Sequence, residues 1–307
     1  MESPTKRLLV DWIPPALLRS GRAAVARMRP PPFEAVGTTW PGASPASEGW
    51  NAEGVAAARE RQWNALKSFL AGTEVFGVSR EEIGRPWHPD LGPQSLYLTF
   101  GYALGRAAAV RLPSGGHGSP REAAPVRVLD WGGEIGSYHE VAKALLPEVR
   151  FDWHCAELPA VAALGQRLNP GVTFHGDEGW AGEPYDFVFS SSSLQYLPDW
   201  RPTVRRLVAC ARGPILFTRL PFVQRAASFV ALQRVPEYGT AYHGWVFNRD
   251  EFVATVESAG AHLERAFLNH AGPRIEGATE QNAYMGFLFR PNIPSPSAAV
   301  LTDESVS

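Results

Sequence analysis

The chain has little of several things that would place it quickly. Of its 307 residues two are cysteines, Cys155 and Cys210, both in apolar surroundings, so neither a disulfide framework nor a metal site is expected and a cytoplasmic location is the simple reading. The net charge of −2 removes the electrostatic case for a nucleic-acid partner. No block of like charge stands in for one, since Arg201, Arg205 and Arg206 read as one solvated helix face. Long apolar runs are also missing. Leu8-Leu9-Val10 follows Lys6 and Arg7, but Asp11 and Pro14-Pro15 break the run far short of a membrane span, so neither a signal peptide nor an anchor is expected. There is no internal repeat. What remains is a chain long enough to bury a full core, suited to a small-molecule substrate and to life as a monomer or homodimer.

The stretch that carries chemistry is Val126-Arg127-Val128-Leu129-Asp130-Trp131-Gly132-Gly133-Glu134-Ile135-Gly136-Ser137. An apolar, β-branched run leads into an acid, then a glycine turn, then residues able to start a helix, which is how a parallel strand hands over to a crossover helix. Glycine lets the backbone approach a ligand that a Cβ would exclude, and ligands of open α/β sheets sit at the carboxyl ends of the strands. A dinucleotide fingerprint opens with glycine and carries its acid about 20 residues later. Here Asp130 precedes the glycines. A carboxylate there repels a pyrophosphate and suits a cationic nucleoside without phosphates, the chemistry of S-adenosylmethionine (SAM).

Strand-like and helix-like segments alternate from this point. Strands are expected at 126–131, 151–156, 172–175, 185–189 and 214–218, with Glu157 closing the second and Gly176-Asp177 the third. Residues 222–243 read as irregular and aromatic-bearing. Asn248 to Ala259 has helical spacing with Asn248 as N-cap, and 262–268 with 283–289 read as an antiparallel pair. Upstream, residues 1–112 read as an N-terminal helical cap or lid. It has helices within 8–28, 53–70 and 94–110, and Arg59, Glu60, Arg61 and Lys67 face away from its packed side. Residues 113–125 are a flexible connector, 126–290 the SAM-binding core and 291–307 a disordered tail.

Four motifs in order, Leu129-Asp130-Trp131-Gly132-Gly133, Ser191-Ser192-Ser193-Leu194-Gln195-Tyr196, Thr218-Arg219-Leu220-Pro221-Phe222 and Gln233-Arg234-Val235-Pro236, resemble a subfamily of class I SAM-dependent methyltransferase-like proteins over residues 33–290. The resemblance implies an α/β, Rossmann-like class I methyltransferase fold, with a mostly parallel seven-stranded sheet flanked by helices. That subfamily includes azetidine-2-carboxylate synthases, which close SAM on itself, and so brings in the cyclisation hypothesis.

Several residues then become candidates. Asp130, Gly132, Gly133 and Gly136 would face the amino-acid end of SAM, the Asp130 carboxylate meeting its α-ammonium. Glu157 would accept the ribose hydroxyls, with Leu158 beside it. Asp177 would accept from the adenine amino group, against the reading of Gly176-Asp177 as a plain turn. Ser191 and Ser192 fall near the sulfonium. Glu134 departs from the pattern, which has a third glycine there, and offers a second carboxylate to the α-ammonium. Gln195, Tyr196 and Asn248 complete the catalytic candidates, Asn248 also serving as a helix cap. Tyr238, Tyr242, His243 and Trp245 could close over the sulfonium, and His139 is the nearest candidate base. Both reactions are in-line displacements at a carbon bound to sulfur. Cyclisation to azetidine-2-carboxylate and 5′-methylthioadenosine is the preferred reading, methylation of a small hydroxyl or amine acceptor the alternative, and SAM binding without catalysis the third.

Overall fold

The computed structural model describes residues 30–42, 53–71, 92–111, 124–236 and 240–292. The expected helices over 8–28, residues 112–123 of the connector, Tyr238 and the tail from 293 lie outside the described residues. None of the described helices is long and apolar enough to cross a membrane.

Four strands form a parallel sheet: β2 (Val126–Trp131), β3 (Phe151–Ala156), β4 (Thr173–His175) and β5 (Phe187–Ser191), and β6 (Ile215–Val223) continues it beside β5. β9 (Ala261–Ala271) and β10 (Ala283–Pro291) are the antiparallel pair expected, and β10 joins β6. The order across the sheet is therefore β4-β3-β2-β5-β6-β10-β9. Chain direction reverses outward from β2, the doubly wound, Rossmann-like arrangement that the sequence led us to expect. Strands buried on both faces are mostly apolar, and β5, Phe-Val-Phe-Ser-Ser, is apolar up to the buried Ser190 and the partly exposed Ser191 at its carboxyl end.

Helices cover both faces. On one, α2 (Gly92–Arg111) and α3 (Ser137–Leu145) set Phe100, Leu104 and Val141 against Val128, Phe187 and Phe189. On the other, α5 (Arg201–Cys210) and α6 (Arg249–Ser258) pack Leu207 and Phe252 against Val188, Phe217 and Phe287. α1 (Glu53–Ala71) rests on the glycine turn: Trp63 and Leu66 bury against Ile135 and against Leu164 of α4 (Pro159–Leu168), and the Trp63 indole N–H donates to the Leu168 carbonyl at 3.1 Å.

The sheet is larger than the seven strands expected. β7 (Phe229–Val235) and β8 (Thr240–Asn248) form an antiparallel pair in the region read as irregular, and β1 (Phe33–Gly37) extends it along β7. β6 pairs with β5 through Thr218 and with β8 only at Phe222 and Val223. Residues 219–221 thus face a gap between β5 and β8 on that edge. Arg219 takes φ 54° there, and Pro221 has no N–H to offer a neighbour.

Asn248 is the cap of α6, as expected. Its Oδ1 accepts the N–H groups of Asp250 and Glu251, each at 3.0 Å, and its Nδ2 donates to the Ala226 carbonyl at 2.9 Å. Asn248→Ala is expected to cost about 1–2 kcal/mol in urea unfolding, while Asn248→Asp keeps most of the cap. An unchanged midpoint for the alanine variant would refute that role.

Candidate functional site

Parallel register sets the site. Trp131 lies beside Ala156 and Ala156 beside His175, while Asp130 pairs with Phe189, so Asp130, Glu157, Asp177 and Ser191 all fall at the carboxyl edge of the sheet. The turn after β2 carries three left-handed residues, Gly132 at φ 71°, Glu134 at 56° and Gly136 at 76°. Two glycines are required by close approach. A Cβ on Gly132 would stand 2.2 Å from the Ser193 Oγ, and one on Gly133 would stand 2.4 Å from the Asp130 carboxyl carbon. The Ser193 hydroxyl lies 3.0 Å from both the Gly132 and Ser191 carbonyls and donates to either, which ties the ends of β2 and β5 together.

Asp130 is 1% exposed, and its Oδ2 has no hydrogen-bond partner among the described residues. Burial pushes its carboxyl up to about 8, the neighbouring Trp153 indole pulls the other way, and the Glu157 and Glu134 carboxylates raise it further. Glu157 is also raised, mainly by burial, although it accepts the N–H of Leu158 at 2.6 Å and of Glu134 at 3.2 Å. Three acids thus converge on one turn. Their counter-charge is Arg59, which the sequence placed on the outward side of its helix and the structure places 6% exposed, Nη2 3.0 Å from the Glu134 Oε1. Ion pairs between residues 75 apart leave no trace in local spacing.

Leu158 is 39% exposed at the start of α4 and offers an apolar face beside Glu157. Asp177 is exposed, and its Oδ1 accepts the Gly179 N–H at 2.9 Å, which makes the plain turn without using the second oxygen. His139 is buried in the core against Trp153, ring centroids 5.5 Å apart.

Beyond β5 the chain enters the gap beside β6. Ser192 takes φ 55° and its N–H donates to the Thr218 carbonyl at 3.0 Å. Gln195 is 3% exposed; its Nε2 donates to the Ser192 Oγ at 2.9 Å and its Oε1 has no partner among the described residues. The Tyr196 hydroxyl donates to the Gln233 Oε1 at 3.4 Å, and burial raises its phenol well above the usual range. Tyr242 meets the Tyr196 ring edge-on at 5.1 Å, whereas His243 and Trp245 turn to Trp40, each at 5.9 Å. The aromatic stretch is thereby divided. Asn248, paired with Val223, stands five residues further along β6 than Thr218, roughly 15 Å away at strand spacing. Gln233 and Ser193 stand in the quoted motifs but carry no role of their own there; the contact of a hydroxyl with a φ-positive glycine becomes visible only when β2 and β5 are adjacent.

Fold and turn together define a Rossmann-like sheet with three acids gathered at the carboxyl edge of its first strands. No family model and no curated protein matches the chain. Among solved structures it is similar to the 1,6-didemethyltoxoflavin-N1-methyltransferase of Burkholderia thailandensis, 16% identical, with 84% of this chain and 95% of that one covered at a TM-score of 0.40. It is similar also to a SAM-dependent methyltransferase of Clostridium acetobutylicum, 8% identical over 66% and 92% at 0.41. A third likeness is the SAM-bound amino pentose methyltransferase of Micromonospora echinaspora, 18% identical over 66% and 99% at 0.36. These likenesses are distant, and the fold stands on its strand order.

Proposed function

We propose that the protein is a SAM-dependent enzyme and that it methylates a hydroxyl or amine of a small acceptor. The observation that carries SAM use is the buried Asp130 carboxyl with an unpartnered oxygen, set under a glycine turn that packs closely on Ser193 and on Asp130 itself. A cation beside it supplies the missing partner and lets it ionise. Glu157 would hold the ribose, and Leu158 and Asp177 would flank the adenine. SAM supplies a methyl group already activated by a sulfonium, so the chain's part is to orient and to exclude water. Support for an acceptor comes from the turn at 194–196 beside β6, where Gln195 keeps a buried oxygen for an O–H or N–H donor. Tyr196, its phenol held protonated, orients what enters. In this step the acceptor atom bonds to the methyl carbon, S-adenosylhomocysteine leaves, and the acceptor's proton passes to water. Gln195→Ala is expected to lower kcat about 10-fold or more with the affinity for S-adenosylhomocysteine unchanged, the size of a lost hydrogen bond. Equal turnover by the variant would remove Gln195 from the site.

A second reading, cyclisation, is favoured by the same Asp130. In it Asp130, ionised beside the ligand's ammonium, takes a proton from it, the freed amine attacks its own γ-carbon, and the carbon–sulfur bond breaks to release 5′-methylthioadenosine. Incubation with SAM alone and with an acceptor library, followed by mass spectrometry, separates the readings. S-adenosylhomocysteine formed only with an acceptor supports methyl transfer. Methylthioadenosine with azetidine-2-carboxylate from SAM alone, above the spontaneous background, overturns it in favour of cyclisation. Binding without turnover leaves a non-catalytic SAM protein.

A further inference from the structure

The contact between Arg59 and Glu134 joins α1 to the turn that lies against the acids. Arg59 is held firmly, because Trp63 and Leu66, one turn and two turns further along α1, are themselves buried against Ile135, Leu164 and the Leu168 carbonyl. Glu134 reaches it from a left-handed backbone, a strained conformation for a side-chain-bearing residue that persists where its surroundings impose it. Together they place one guanidinium beside two carboxylates, Glu134 and Glu157, both of which act in turn on the buried Asp130.

An amino-acid end carries an ammonium and a carboxylate two bonds apart, so a site for it needs an anion and a cation side by side. Asp130 offers the anion. Arg59 is the cation the described turn presents, and a planar guanidinium receives a carboxylate through two parallel N–H bonds. The Glu134 carboxylate already sits where such a group would sit. We propose that Arg59 receives the α-carboxylate of the ligand's amino-acid end, and that Glu134 occupies this place in the free protein and turns to the ligand's ammonium when displaced. The exchange rests on the SAM reading above. It conserves charge: the guanidinium trades one carboxylate for another, and the released Glu134 joins Asp130 on the cation. It also gives a reason for an acid where a glycine would be unstrained.

Three nucleosides separate the parts of this idea in calorimetric titrations. S-adenosylhomocysteine has both charged groups, its decarboxylated analogue S-adenosyl-3-thiopropylamine keeps only the amine, and 5′-methylthioadenosine has neither. Arg59→Gln is expected to weaken S-adenosylhomocysteine about 10- to 100-fold, the range of a charge-assisted hydrogen bond, and to leave the other two within about twofold. Glu134→Gln is expected to weaken the thiopropylamine analogue about 5-fold or more and to leave methylthioadenosine unchanged. If Arg59→Gln weakens all three nucleosides alike, the residue only holds α1 in place and the proposal falls. An unaltered thiopropylamine affinity in Glu134→Gln overturns the exchange. Should Arg59→Gln melt at assay temperature, Arg59→Lys, which keeps the charge and loses the fork, must still show the selective loss. Failure of the wild-type protein to bind any of the three refutes the SAM reading before a variant is made.

Discussion

Asp130→Asn is expected to yield a folded protein whose stability falls less between about pH 4 and pH 8 than the wild-type protein's and whose affinity for SAM and S-adenosylhomocysteine drops roughly 100-fold, as when one partner of a buried charge pair is removed. The pH effect follows from where the proton goes. The carboxyl titrates at 3.8 when exposed and at about 8 in the fold. Below the lower value both states hold the proton and stability is full. As pH rises, the unfolded chain gives its proton up while the folded one keeps it, so stability is lost until the folded group also ionises near pH 8. The full span is on the order of 6 kcal/mol, and Asp130, 1% exposed, has little solvent screening to reduce it. Asparagine is isosteric with the protonated acid and does not titrate, so its urea midpoint should fall less between pH 5 and pH 9 than the wild-type midpoint does. Parallel slopes for the two proteins would sink this account. Added SAM should flatten the wild-type slope, since the ligand's cation stabilises the ionised form.

Gly132→Ala is expected to lose about 2–3 kcal/mol of stability and to abolish measurable nucleoside binding. Roughly 1–2 kcal/mol comes from forcing a Cβ into the left-handed region at φ 71°. About 1 kcal/mol more comes from the Ser193 hydroxyl, which must leave the carbonyls it holds to clear the new methyl. The two contributions can be told apart. In Gly132→Ala with Ser193→Gly the clash is gone and the backbone strain remains, so about half of the strain-plus-clash loss should return relative to Ser193→Gly alone, measured as a double-mutant cycle in urea. A cycle with no coupling would mean that Ser193 moves freely and does not clamp the turn.

The parallel core was legible because each strand is an apolar run that ends in a residue of another kind: Asp130 and the glycines, Glu157, Gly176-Asp177, the serines. Burial on both faces enforces the run, and the ligand edge enforces its end. The β7–β8 pair was hidden for a physical reason. Gly244 breaks the pattern in mid-strand, where its backbone lies beside the Tyr196 ring. The five-residue β1 is likewise legible only through its partner. Within the site, Asp130 and Glu157 announce themselves by position along the chain. Arg59 does not, since charged residues surround it on α1 and which of them turns inward is decided by Trp63 and Leu66 packing on Ile135. Asp177 shows the limit from the other side, its carboxylate serving the turn and still having an oxygen to offer.

The β1-β7-β8 sheet meets the parallel core at two residue pairs, Phe222 with Phe247 and Val223 with Asn248, and encloses its own small apolar cluster of Phe33, Phe229, Ala231, Val246 and Ile275. Side chains, more than ladder bonds, close the seam: Phe247 is buried between Trp200, Phe222 and Phe252, and Tyr242 meets the Tyr196 ring edge-on. Gln233 and Tyr242 belong to the three-strand sheet and Gln195 to the parallel core, so the polar groups around Tyr196 come from two sheets joined mainly by aromatic packing.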